Sequence, residues 1–333
     1  MGGVRISALS AALLVAVVLA FPAAAGRSAP TGTPGEVAVF YYPWYSNPAR
    51  DGQWAHWYVE RDGEPILSTP FFPRRGLYSS SSPKIVAAHM REIRGAGVTT
   101  VVVSWWGPGS REAERLPLVT ETARSHGLRV AIHVEPYAGR TPSRVAEDIV
   151  QLRSEGGYVD FYVYEAQHDS NAAWAEALAG IDGVRVFGQT TLAGSAKASG
   201  FDGLYTYDVL TWRGSVFRRL CAQAHRLGLL CAPSVGPGFD SRFVTREGGA
   251  VRLRKRGETY DGMWRSAIDA RADIVTITSY NEWQEGTQIE PARRQVGRLA
   301  YEGAWGRRGV SAQRAYLDAT ARWSARYRAA ARQ

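Results

Sequence analysis

The sequence predicts an α/β fold, a single-domain (β/α)8 barrel with long βα loops, and three observations predict it. Eight short apolar runs rich in Val, Ile, Tyr and Phe alternate with stretches of helical spacing. None of the runs opens into the glycine fingerprint of an open, nucleotide-binding sheet. The 333 residues leave roughly 300 after an N-terminal segment, which suits one barrel with loop insertions.

Residues 1–25 read as a secretory signal. Arg5 supplies the positive start, 9–21 an apolar run, and Ala23-Ala24-Ala25 a small-residue cleavage site. The run is shorter than the roughly 20 apolar residues of a membrane span, so the expectation is cleavage and export without stable membrane insertion. Residues 26–35 form a Pro/Gly/Thr linker, and 36–333 the folded domain.

The first strand is predicted at 37–42. Ile85, His89, Ile93 and Ala96 keep a helical spacing that Gly95 and Gly97 close. Strands follow at 100–106 and 129–135, then a helix opening at Thr141-Pro142, where proline suits the first turn. Further strands are predicted at 161–164, 184–187, 203–207 and 229–234, with helical patterns at 171–178, 216–227 and 260–270. The eighth strand opens at Ile274, and a last helix sets Tyr316, Ala319, Trp323 and Tyr327 on one face. No internal repeat appears. The longest irregular stretches, 43–83 and 236–257, are predicted βα loops, which in a barrel build the active face.

Composition narrows the function. Hydrophobic residues at 45% and charged ones at 21% describe a globular chain, and 11 Trp, 16 Tyr and 10 Phe suit one that stacks flat ligands. The formal charge of +9 invites a nucleic-acid reading. It is set aside, because the positive charge is nearly all Arg, dispersed among acids. The one dense run, Arg252-Leu253-Arg254-Lys255-Arg256, reads as a solvated loop. Cys221 and Cys231 fall in a helical pattern and the strand after it, and can be bridged or remain separate buried thiols. The six histidines form no HExxH or other close ligand pair, so no metal or other cofactor is expected. Gly236-Pro237-Gly238 is not a phosphate loop, and no GxSxG elbow occurs.

The predicted strand ends carry the chemistry. They read Tyr41-Tyr42-Pro43-Trp44-Tyr45, Trp105-Trp106, His133-Val134-Glu135-Pro136-Tyr137, Tyr164-Glu165, Tyr205-Thr206-Tyr207 and Asn281-Glu282-Trp283-Gln284-Glu285. Glu282 and Glu285 lie three apart. On extended backbone they would face opposite ways; a helical turn after Tyr280 would bring them together. A carboxylate pair among aromatic faces suits a sugar, with Tyr280 and Trp283 offered as stacking surfaces.

Taken with Pro233-Ser234-Val235-Gly236-Pro237-Gly238, the 200–207 block and Asn281 to Glu290, these blocks resemble glycoside hydrolase family 99, the endo-α-1,2-mannosidases and endo-α-1,2-mannanases. The likeness runs in order over about 37–327. It implies a (β/α)8 barrel that retains anomeric configuration without a metal. Glu285 is then the general acid/base, and Glu282 the carboxylate that deprotonates the sugar's own 2-hydroxyl, giving a 1,2-anhydro sugar. The residues alone leave a conventional carboxylate nucleophile open. By the same resemblance Glu135, Tyr137, Tyr164 and Tyr207 are sugar-binding. Tyr41, Tyr42, Trp44, Trp105, Trp106, His133, Asn281 and Trp283 join them as candidates from the rim. Gln284 departs from the family, which often has His there. The expected partner is an α-mannoside glycan, taken by a monomer. Two alternatives stay open: a related barrel acting on another polysaccharide, and an inactive secreted glycan-binding barrel.

Overall fold

Apolar, β-branched runs that bury both faces form parallel strands when helices cover the sheet. In the computed structural model, which describes residues 35–245 and 247–332, eight such runs close a barrel. They are β1 (Glu36–Tyr41), β2 (Thr100–Trp105), β3 (Arg129–Val134), β4 (Asp160–Val163), β5 (Arg185–Gln189), β6 (Gly203–Tyr205), β7 and β8 (Ile274–Ile277). The expected signal segment and nearly all of the linker lie outside the described residues.

Strand β7 comes in two pieces, Leu230–Ala232 paired with β6 and Ser234–Val235 paired with β8. Pro233 separates them because it has no N–H for a ladder; its carbonyl still accepts from Thr276 N at 3.2 Å. The two free edges of the sheet are therefore halves of one segment, and the ring closes through that segment's backbone. Around the ring β1 pairs with β2 on one side and β8 on the other.

The outer helices are α1 (Pro83–Gly95), α2 (Arg111–Ser125), α3 (Pro142–Gly156), α4 (Asn171–Leu178), α5 (Ala193–Ala198), α6 (Phe217–Arg226), α7 (Glu258–Asp269) and α8 (Ala315–Ala330). Side-chain oxygens of Ser110, Thr141 and Ser170 cap α2, α3 and α4 by accepting from backbone N–H three residues on. Two helices carry no clear sequence signal. Pro117 interrupts α2, which also buries Glu112 and Arg115, and α5 is six short residues. Among the described residues no helix is long and apolar enough to cross a membrane.

The barrel interior is layered. At its base Glu36 pairs with Arg129 and Arg185, and Arg185 with Asp160 at 2.6 Å. Above this, Phe40 packs on His133, Tyr162 and Tyr205 at 4.6, 5.9 and 5.7 Å between ring centres. Aromatic residues thus plug the barrel and make a floor for whatever sits above.

Cys221 of α6 and Cys231 of β7 are joined, with Cα atoms 5.1 Å apart. The bond closes a loop of 10 residues, a length for which cross-linking stabilises by about 2–3 kcal/mol. Reduction, or a Cys221→Ser/Cys231→Ser double variant, should lower Tm by several degrees in a thermal scan. An unchanged Tm would count against the bond.

Candidate active site

Side chains alternate along a strand, so every second residue of each barrel strand points inward. Phe40 and Tyr42 continue one inward row, Ser104 and Trp106 a second, His133 and Glu135 a third. Tyr162 with Tyr164 and Tyr205 with Tyr207 complete the set. The last member of each pair falls just past its strand's final residue, which lifts it into the mouth of the barrel.

The polar contacts tie these rows together. Ser104 Oγ donates to Glu135 Oε1 at 2.8 Å, and Trp106 Nε1 donates to Ser104 Oγ at 3.1 Å. His133 Nδ1 lies 2.8 Å from Glu135 Oε1, and its Nε2 lies 2.9 Å from the Tyr205 hydroxyl. The Tyr42 and Tyr207 hydroxyls are hydrogen-bonded to each other. Tyr207 takes a left-handed backbone conformation, held by Ser234 Oγ accepting its N–H and by Thr278 donating to its carbonyl, both at 2.8 Å. This turns the Tyr207 ring over His133, 5.3 Å away. Trp44 stacks on His56 at 4.4 Å and lies 4.5 Å from Tyr42, making an aromatic wall.

Past β8 the chain makes the turn that the two acids require. Glu282 N donates to Ser279 Oγ at 2.8 Å, and Gly286 N and Thr287 N bond back to the carbonyls of Trp283 and Glu282. The Glu282 carboxylate accepts the backbone N–H of Gln284 at 3.1 Å and that of Glu285. Glu282 is 3% exposed, whereas Glu285 stays half-buried at the cleft. Burial pushes the Glu282 carboxyl well above the usual carboxylate range, helped by the charges of Glu285 and Glu135. Burial first, then Asp208 and Glu135, push Glu285 up to about 7. Both carboxyls thus hold a proton to higher pH than a free glutamate does. A bound proton beside a fixed carboxylate is the equipment for acid–base work on one bond.

Nine candidates meet here: Tyr42, Trp44, Trp106, His133, Glu135, Tyr164, Tyr207, Glu282 and Glu285. Five others do not. Tyr41 and Trp105 occupy the outward rows, so strand parity turns them away from the mouth. Tyr41 points its hydroxyl at His89 of α1, 3.1 Å away, and Trp105 lines a groove between α2 and α3. Tyr137 packs edge-on against Trp105 and donates its hydroxyl to Asp148 of α3. Asn281 is 0% exposed because its amide is used up on the backbone of Tyr42, accepting from N at 2.8 Å and donating to O at 2.9 Å. Trp283 is equally buried, its Nε1 donating to Glu290 at 3.0 Å, and Tyr280 turns outward to Glu92. Neither ring is a stacking surface for sugar; both anchor the turn from behind.

Three residues join the site without having been singled out. Asp208, directly after Tyr207, was legible as one more acid at a strand end. His56 and Ser68 come from the loop 43–83 and carry no pattern. Gln284 Nε2 donates to Ser68 Oγ at 2.9 Å, and its side chain also bonds His56. Burial and the charge of Arg111 hold that imidazole down to about 4, so it stays neutral against Trp44. Among the described residues no three His, Cys, Asp or Glu side chains are grouped to hold a metal ion.

The profile of glycosyl hydrolase family 99 matches residues 34–329. A glycoprotein endo-alpha-1,2-mannosidase-like protein of Danio rerio is 31% identical over 79% of this chain and 73% of its own length. The glycoprotein endo-alpha-1,2-mannosidase of Xenopus laevis is 29% identical over 88% and 77%. Among solved structures, the family 99 endo-alpha-mannosidase of Bacteroides thetaiotaomicron superposes with a TM-score of 0.81 at 29% identity, covering 90% of this chain and 99% of that one.

The charges around Glu285 make a test. Asp208 disfavours the ionised form of Glu285, so removing that charge lowers the pKa. Isotope-edited NMR of the Glu285 carboxyl should give a midpoint near pH 7. In Asp208→Asn it should fall by about half a pH unit or more. A midpoint that does not move, or that rises, would contradict this arrangement.

Proposed function

The chain belongs to glycosyl hydrolase family 99, and from that premise we propose that this glycoside hydrolase cleaves internal α-1,2-linked mannosides with retention of configuration. The observation that carries the reading is the carboxyl pair past β8, Glu282 buried and Glu285 half-buried, near Tyr42, Glu135, Tyr164, Tyr207 and the Trp44–His56 wall. The names of the similar proteins supply the linkage and the sugar.

In the proposed route Glu285 gives its proton to the leaving glycosidic oxygen. Its half-buried place at the cleft, open to a leaving group, suits that task. Glu282 takes the proton of the sugar's 2-hydroxyl, O2 attacks C1, and the C1–O bond to the leaving alcohol breaks. The product of this step is a 1,2-anhydro sugar. Water then adds at C1 while Glu285 takes a water proton, and O2 recovers its proton from Glu282. Two inversions at C1 give net retention. Backbone N–H groups on Glu282 support a fixed, ionisable base over a mobile one. The aromatic wall and floor would carry the apolar faces of the sugar rings. We also propose that the protein is exported after cleavage near Ala25; the Cys221–Cys231 bond supports an oxidising compartment.

Product analysis on an α-1,2-branched mannan and on a glucosylated mannose oligosaccharide tests the substrate; exo-release of single sugars from either would overturn the endo reading. Glu282→Gln and Glu285→Gln should each lower kcat by about 10²-fold or more while leaving fold and binding intact. A leaving group that needs no proton should partly rescue Glu285→Gln and not Glu282→Gln. An activated 2-deoxy-2-fluoro mannoside should leave the protein unlabelled by mass spectrometry; an adduct on Glu282 would instead establish a carboxylate nucleophile. Export is checked by the N-terminus of protein recovered from the medium, which should begin near Gly26 and not at Met1.

A further inference from the structure

The basic run at 252–256 finds a use that its sequence does not suggest. The guanidinium of Arg254 sits 4.5, 4.9 and 4.5 Å from the ring centres of Phe71, Tyr301 and Tyr316. Its Nη2 donates to two carbonyls of the catalytic turn, Gly286 O at 2.8 Å and Gln288 O at 2.7 Å. Its Nε and Nη1 are buried with no hydrogen-bond acceptor, and the faces of the three rings stand in for one. A third bond comes from the same loop, Asp240 N donating to Glu285 O at 2.7 Å. The loop 236–257 therefore holds the backbone of residues 285, 286 and 288.

The turn has little slack on its other side. Gly286 has φ +60°, and a Cβ there would lie 2.9 Å from Pro70 Cγ and 3.3 Å from the Asp240 backbone. Glu285 carries its carboxyl on this strapped segment. Arg254 is absent from the charges that shift Glu285, which are Asp208 and Glu135, so whatever it does to that carboxyl it does through geometry.

We propose that Arg254 is a positioning residue that aims the acid/base carboxyl of Glu285 by clamping the carbonyls of residues 286 and 288. The inference rests on the reading of Glu285 as acid/base and goes beyond it. A displaced acid harms only steps in which it moves a proton. The defect of an Arg254 variant should therefore depend on the leaving group, whereas loosened folding would slow every substrate alike.

The experiment compares Arg254→Met, Arg254→Lys and Glu285→Gln on a natural mannoside glycan and on the matching glycosyl fluoride, whose departure needs little protonation. Lys255→Met, an exposed neighbour in the same run, is the control and should match the parent. For Arg254→Met, kcat on the glycan should fall about 10²-fold with KM within roughly threefold, because small misplacement of a catalytic group has that cost. On the fluoride, followed as first-turnover fluoride release so that the later water-addition step is not read, the loss should stay under about tenfold, and Arg254→Lys, which keeps a cation and a donor, should fall between. If Arg254→Met does not fold, Arg254→Lys is read by the same criterion. Equal losses on both substrates, or no loss in a folded variant, would overturn the inference. If Glu285→Gln itself loses equally on both, the assignment of Glu285 fails; if Glu285→Gln discriminates and the Arg254 variants do not, only the positioning role fails.

Discussion

Taking a carboxylate out of water costs several kcal/mol unless something compensates it. This barrel takes Glu282 out of bulk water and half-buries Glu285 near it, with Glu135 and Asp208 adding like charge. The rest of the mouth is organised to bear that cost. Backbone N–H groups of residues 284 and 285 meet the Glu282 carboxylate, and protonation, favoured by the raised pKa values, removes part of the repulsion. Both remedies work only if the turn from 281 to 288 keeps its shape.

That shape is held from behind by a further buried carboxylate. Glu290 is 0% exposed and accepts from Tyr78 at 2.7 Å and from Trp283 Nε1 at 3.0 Å, with His89 Nε2 also 3.0 Å away. Its backbone N–H bonds to Tyr280 O at 2.8 Å, closing the loop that began there. Tyr45 adds a bracket, donating to Asn281 O and accepting from Trp283 N. Losing one member of such a buried set strands its partners, which typically costs about 3–5 kcal/mol for a charged pair. Asn281 and Trp283, read from the sequence as rim candidates, are therefore needed where they are.

The two long loops divide the remaining work. The loop 43–83 brings the aromatic wall and reaches Gln284 through Ser68 and His56. The loop 236–257 secures the backbone from Glu285 onward. They touch each other where Arg61 donates to Thr245 O at 3.0 Å, and Arg298 bridges them, donating to Thr69 O and Leu67 O while lying over Phe243. Each acid thus has a loop of its own, while the barrel strands supply the floor. The fold thus separates a buried carboxyl, Glu282, from a more open one, Glu285.

Hydrophobic period determined the barrel in advance, because a strand buried on both faces has to be apolar throughout and a covering helix apolar on one side. Glu282, Glu285, Glu135, Tyr164 and Tyr207 were equally legible, since acids and aromatics at successive strand ends converge in any closed barrel. Helix α2 escaped because polar Glu112, Arg115 and Thr120 share its buried face and Pro117 sits inside it, and α5 because it is only six residues long. Tertiary structure alone decided which of two adjacent aromatics faces the mouth. A one-residue difference in where β1 and β2 sit in the sheet exchanges Tyr41 for Tyr42 and Trp105 for Trp106. It also decided that Arg254 would leave a run of solvated charge to bond the carbonyls of Gly286 and Gln288. Its partners, Phe71, Gly286, Tyr301 and Tyr316, come from distant parts of the chain, and no local pattern records a contact made only when the chain closes on itself.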